Sequence, residues 1–256
     1  EIECLAYAEN RPFFLSQYFR DNYEKALENL PLATSDININ KIEVWVTNTT
    51  SNYENSRNIV AFTDLGEGKE EWIYNDNNIR PAGIIGAQYP DDTVNTLLYD
   101  MDYNSLRSLN SVTSYLTSQG YTSGKDFEKL QKARKLNPSE YVLNSKLGFI
   151  TLNINLNANQ TLAVAYQYTV IGQDKVYQVG EFSDQSISDP NLLVTKLLKS
   201  TTINTKMPMW NLMMKNVYNI RAYQISPNDF VMNILYLGNE NGISTGYFAV
   251  KLEKLY

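Results

Sequence analysis

The sequence predicts an α+β fold in which antiparallel strand pairs, sandwich-like in arrangement, carry several packed amphipathic helices. Three observations lead there. Apolar residues recur at helical spacing over 12–30 and again between 105 and 136. They alternate with polar residues near 42 and between 152 and 170, and turns bearing Gly or Pro separate the two kinds of segment.

Over Arg11 to Leu30, the residues Leu15, Phe19, Tyr23, Ala26 and Leu30 fall on one stripe with Tyr18 and Leu27 beside it, which predicts a helix over 12–30. Pro12 suits its first turn and Pro31 stops it. Ile42, Val44 and Val46 then alternate with Lys41, Glu43 and Trp45 as a strand, and a loop rich in Asn and Ser leads to a second strand at 58–63. The two are expected to pair as a long-looped hairpin. Pro81 to Asp92, with Gly83, Gly86 and Pro90, reads as a connection and as the candidate boundary between subdomains 1–90 and 91–256.

Leu106, Leu109, Val112 and Leu116 predict a helix over 105–119, with Gly120 at the C′ position. Phe127, Leu130 and Ala133 predict another over 126–136, with Pro138 just beyond it. Alternation returns at Leu152, Ile154 and Leu156, and again from Leu162 to Val170, where Gly172-Gln173-Asp174 turns the chain into Val176 to Phe182. Leu192 to Leu198 reads as a short helix, and Trp210, Met213, Met214 and Val217 share a helical face. Phe230, Met232, Ile234 and Tyr236 make a strand before a turn at Gly238 to Gly242. Val44 to Phe62 and Phe149 to Tyr166 resemble each other faintly, as a duplicated strand pair would.

With 256 residues and 43% apolar positions the chain can bury roughly 70–75% of its unfolded surface, so folding needs no staple. Twenty-two basic residues against 28 acidic ones give a net charge of −6, with neither sign gathered into a run. A nucleic-acid partner is not expected, because phosphate binding needs a basic patch that releases counterions. The chain has no histidine, and Cys4 is its only cysteine. That removes the usual general base near neutral pH, the usual zinc and copper ligands and any internal disulfide.

No catalytic, cofactor or metal site is therefore expected. Gly66-Glu67-Gly68-Lys69 and Thr122-Ser123-Gly124-Lys125 place glycine beside lysine, but neither has the spacing of a phosphate loop and both read as turns. The carboxylates Asp91 with Asp92, and Asp100 with Asp102, read as solvated loop acids without calcium-loop spacing. Serine nucleophiles lack both their motif and a histidine partner. Three tryptophans and 19 tyrosines could form a stacking platform for sugars, although aromatics on strands and helices more often fill a core. The apolar faces at Phe13 to Phe19 and Met207 to Met214 look richer than one small core requires. They nominate Phe13, Phe14, Met207, Met209 and Trp210 as partner-binding residues.

The chain opens at Glu1 and stops within the apolar stretch Tyr247 to Leu252, so both ends are expected to be cuts in a longer protein. No basic n-region with an apolar h-region is present, so targeting information is expected to have been removed or never to have lain nearby, and no apolar run is long enough for a membrane-spanning helix.

Several stretches, in order, resemble the SprA/Sov proteins, the giant outer-membrane translocons of type IX secretion and gliding motility. They are RPFFLSQYFRDNYEKALENLP from Arg11, KIEVWVTN from Lys41, RNIVAFTDLGE from Arg57 and DFEKLQKARKLNPSEYVLNSKLGFITLN from Asp126. LAVAYQYT from Leu162, VYQVGEF from Val176 and WNLMMKNVY from Trp210 complete the series. Such proteins form one very large β-barrel with soluble segments between its strands. The resemblance implies an extracytoplasmic insert, associated with the outer membrane, whose partners are the rest of its own barrel chain, companion subunits and secreted cargo. It implies no catalytic residues. Asp92-Thr93-Val94 also has the form of an O-glycosylation acceptor common in the bacteria that use this system. The expected function is thus a structural and gating module of the translocon. A free-standing glycan-binding surface domain is the alternative, and a hydrolase built on Asp and Glu alone would need a carboxylate pair that no feature locates.

Overall fold

A computed structural model describes residues 11–29, 32–50, 53–83, 89–99, 101–185, 187–202, 204–215, 217, 233–240 and 243–251, the last two ranges as backbone alone. Cys4, Asp100 and the residues from Phe230 to Met232 lie outside the described residues.

Five strands close into a barrel: β2 (Ile37–Val46), β3 (Ser56–Phe62), β4 (Phe127–Lys135), β7 (Leu162–Val170) and β9 (Leu193–Lys199). Around the ring the order is β2, β4, β3, β9, β7 and back to β2, and all pairs are antiparallel except β3 with β9. Closure depends on the ten residues of β2, which run along all of β7 while Trp45 and Val46 also reach Lys135 and Arg134 of β4. Trp45, Ile59, Ala61, Leu130, Ala133, Ala163, Leu193 and Leu197, drawn from all five strands, form one buried cluster inside the ring. Three alanines there leave space for the Trp45 indole, as a small barrel filled by its own side chains requires.

The outer faces of the same strands are buried too. Val44, Val60, Phe62, Val164 and Tyr166 join a second, larger cluster with Phe13, Phe19, Leu106, Val112 and Leu116 from the surrounding elements. Those elements are β1 (Pro12–Phe14), α1 (Gln17–Ala26), α2 (Tyr103–Arg107), α3 (Val112–Ser118), β5 (Tyr141–Asn144) and β6 (Phe149–Leu152). Strands β1, β6 and β5 make a small antiparallel sheet, β8 (Val176–Val179) extends the barrel beside β7, and β10 (Asn233–Glu240) pairs with β11 (Ile243–Lys251) as a hairpin.

The fold is therefore mostly β around a closed barrel, and the expected α+β sandwich with several packed helices is overturned. The segment 126–136 is strand β4, not a helix. In its pairing with β3 the register advances from Ile59/Leu130 to Arg57/Ala133, one extra residue on β4. This bulge returns Leu130 and Ala133 to the same face at a spacing of three, which imitates a helix. Lys132 sits in it at φ 51°, its N–H donating to Asn58 Oδ1 at 3.0 Å. The segment 192–198 is strand β9, buried on both faces and without polar–apolar alternation.

The helix expected over 12–30 begins only at Gln17, because Pro12 to Phe14 pairs with Thr151 to Phe149. The helix expected over 105–119 is two, α2 and α3, with Asp102 accepting from the Ser105 N–H at the start of α2. Gly120 follows α3 at φ 87°. Residues 208–212 form a single 3-10 turn in place of a helical face. The strands 42–46 and 58–63 are not a hairpin, since β4 lies between them. Leu162 to Val170 is a strand, and it turns at Gly172 into β8. Phe149 to Leu152 belongs to a different sheet from β2 and β3, so the faint internal likeness has no counterpart in the sheets. The barrel takes β2 and β3 from before the connection at 81–92 and its other strands from after it.

Candidate functional site

Of the five residues nominated as partner-binding, four are buried in the chain itself. Phe13 is 1% exposed, Phe14 and Met209 are buried, and Met207 closes onto the barrel interior beside Trp45 and Leu197. Trp210 is half-buried and lines a small cavity of about 40 Å³ with Phe13, Leu198, Met209 and Met213. Phe13 bridges to Met213, the Met214 N–H donates to the Pro12 carbonyl at 2.9 Å, and Gln17 Nε2 donates to the Pro208 carbonyl at 2.6 Å. The two apolar stretches thus cover each other. Phe14 lies apart from the cavity, edge-on to Tyr23 and Phe149.

Beside the barrel lies a buried polar frame. Strand β3 runs into the turn Thr63-Asp64-Leu65-Gly66-Glu67, and β9 points Lys196 into it. Lys196 and Glu67, each 1% exposed, are joined at 2.7 Å, and Lys196 also donates to the Thr63 carbonyl at 2.5 Å. The Gln17 N–H donates to both Glu67 oxygens at 3.2 and 3.3 Å. Asp64 accepts from the Tyr74 and Asn75 N–H groups, both at 2.9 Å, and Asn95 Nδ2 donates to the Asp64 and Glu67 carbonyls. Burial pushes both carboxyls up, against the pull of these donors and of Lys196. The Tyr166 and Ser16 hydroxyls, both buried beside this frame, make no hydrogen bond of standard geometry. Closed to solvent, the frame pins the turn, α1 and β9 together. It offers a reactant no entrance.

A second acidic group sits at the barrel's edge. Asp92 accepts from the Gly180 N–H at 2.9 Å, and burial first, then the nearby Asp91 and Glu181 charges, push its carboxyl up to about 7. Glu181 is paired with Arg107, which also donates to the Leu192 carbonyl at 2.8 Å. Thr93 is exposed, and its hydroxyl donates to Asp91 Oδ1 at 2.5 Å.

An open cleft of about 320 Å³ lies between α1, the 34–36 segment and the 146–147 turn. Tyr18, Phe19 and Tyr23 form its aromatic wall, and Lys25, Glu28, Asp36 and Lys146 stand around it. These four side chains make no hydrogen bond or ion pair among the described residues. From Tyr18 a file of half-buried rings continues outward, to Tyr89 at 5.6 Å and on to Tyr177 at 5.5 Å. Tyr177 stacks on the buried Tyr168 at 5.2 Å and 13°, so the file is anchored to β7. Burial, then Tyr89 and Asp36, push the Tyr18 hydroxyl up to about 12. Nothing in the sequence singled out these tyrosines among 19, because α1, residue 89 and β8 meet only in the folded chain.

Among the described residues no group of three or more Cys, Asp or Glu side chains could hold a metal ion, and no helix is long and apolar enough to cross a membrane. The chain matches no protein-family model and no curated protein.

Proposed function

We propose that the chain is a non-catalytic structural and gating module of an outer-membrane type IX translocon of the SprA/Sov kind, packed against its own barrel chain and binding companion subunits or cargo. The observation that carries this reading is the ordered resemblance from Arg11 to Tyr218. Its segments coincide with framework elements. RNIVAFTDLGE is most of β3 with the Asp64 to Glu67 turn, DFEKLQKARK contains β4 with its bulge, LAVAYQYT is most of β7, and VYQVGEF contains β8 with Glu181. A likeness spread over a whole buried framework supports kinship in fold, and the role is what the resemblance implies.

Since Phe13 and Met207 to Met213 cover each other, the contact surface is sought elsewhere. Ile171, 74% exposed, and Val176, 49% exposed, lie at the β7–β8 turn. Replacing both by Asp should leave the isolated chain within about 0.5 kcal/mol of its original stability, as surface changes do. In the parent protein the same pair should lower export of cargo. Undiminished export with normal levels of the parent in the outer membrane would remove this surface from the reading.

A further inference from the structure

We infer that the cleft between α1 and the 34–36 segment is a saccharide-binding site, which takes a neutral oligosaccharide with one face against Tyr18 and Tyr23. This goes beyond a role in secretion and does not depend on it.

The volume of about 320 Å³ falls at the small end of ligand pockets, roughly 300–1,000 Å³, and suits a short run of sugar units. A pyranose ring has a C–H face and a rim of hydroxyls, and the cleft presents the complement of both. Tyr18 and Tyr23 supply apolar ring surface, with phenol tips left for polar contacts, and Phe19 is buried behind them. Asp36 and Glu28 can each accept from two neighbouring hydroxyls, and Asn29 can both donate and accept. Among the described residues none of the four charged side chains is held in a hydrogen bond or ion pair, so binding breaks no ion pair among them. Two ammonium groups, Lys25 and Lys146, balance two carboxylates, Glu28 and Asp36. The lining therefore exerts no net pull on a polyanion. Beyond the cleft, Tyr89 packs against Tyr18 at 5.6 Å and gives a longer chain one further half-buried ring to meet. An extended peptide would instead use a free strand edge or alternating apolar pockets, and the cleft is lined by a helix, a loop and a turn.

The test is calorimetric titration of the 256-residue chain with cellotetraose, maltotetraose, chitotetraose and mannotetraose, beside a neutral Tyr- and Ser-containing decapeptide. At least one saccharide should bind with Kd of about 1 mM or tighter, and the peptide should not. Asp36→Ala and Asn29→Ala, both at exposed positions, should each weaken that saccharide by about tenfold. Glu24→Ala, on α1 but outside the cleft, should leave its affinity unchanged. The inference is overturned if no saccharide binds, if the peptide binds better, or if neither cleft variant alters affinity while thermal melting shows both folded.

Discussion

Lys196→Met removes one half of the buried ion pair beside the barrel, while the methionine keeps most of the lysine's apolar stem. At 2.7 Å and an effective dielectric of 20 the pair's attraction is about 6 kcal/mol, set against a desolvation cost of several kcal/mol per ion. The pair itself is thus close to neutral, but an orphaned Glu67 carboxylate is not. The single variant should lose about 3–5 kcal/mol at pH 8, or roughly 6–20 °C in Tm for a chain of this size. Lys196→Met with Glu67→Gln should recover most of that, since the glutamine oxygen still accepts from the Gln17 N–H and no charge remains. The pH dependence follows from the sign of the shift. Without Lys196, the folded-state pKa of Glu67 rises further above its unfolded value, so the folded state keeps a proton that the unfolded state releases. The deficit is then smallest below about pH 4.5 and grows as pH rises through the folded pKa. Urea unfolding of both variants at pH 4.5, 6 and 8 reads this directly. A double variant no more stable than the single at pH 8, or a deficit independent of pH, would refute the role given to the pair.

Asp92→Asn keeps an acceptor for the Gly180 N–H but cannot ionise. With the wild-type carboxyl at about 7 in the folded chain, stability is lost between about pH 4 and 7, at most about 4 kcal/mol from this group. The variant should match wild type at pH 4 and melt higher at pH 8, and an equal gap at both pH values would contradict the shift. Gly66→Ala should be destabilising by more than about 1 kcal/mol, because φ is 74° and the added Cβ would lie 2.8 Å from both Val179 methyls. Ala163→Leu should cost about 1–3 kcal/mol or more by overfilling the barrel interior against Trp45 and Leu197. Thermal melts at one pH check both.

How far the sequence revealed this fold depended on whether residue type alternates along a strand, since β7 and β9 are both covered on two sides. Leu162 to Val170 and Lys41 to Val46 were legible because apolar and polar positions alternate there, and Gly172 and Gly120 were legible because positive φ favours glycine. Strand β4 was misread because its bulge at Lys132 sets Leu130 and Ala133 three apart, and β9 because LVTKLLK shows no period of two. The apolar surplus at Phe13 and Met207 to Met214 was real in the sequence. Its meaning was not, since nothing local says that the two stretches cover each other. The cleft was invisible for the same reason: Tyr18, Asp36 and Lys146 are ordinary surface residues until α1 and the 146–147 turn enclose them. The absence of histidine, by contrast, could be read at once from the composition.

The most direct measurement for the proposed function is the fate of secreted cargo in cells whose parent gene lacks this module. An in-frame deletion of residues 11–217 that leaves the parent in the outer membrane should trap cargo in the periplasm, and restoring the wild-type segment should return it to the medium. Normal export from the deleted strain would contradict the assignment of this barrel to the translocon.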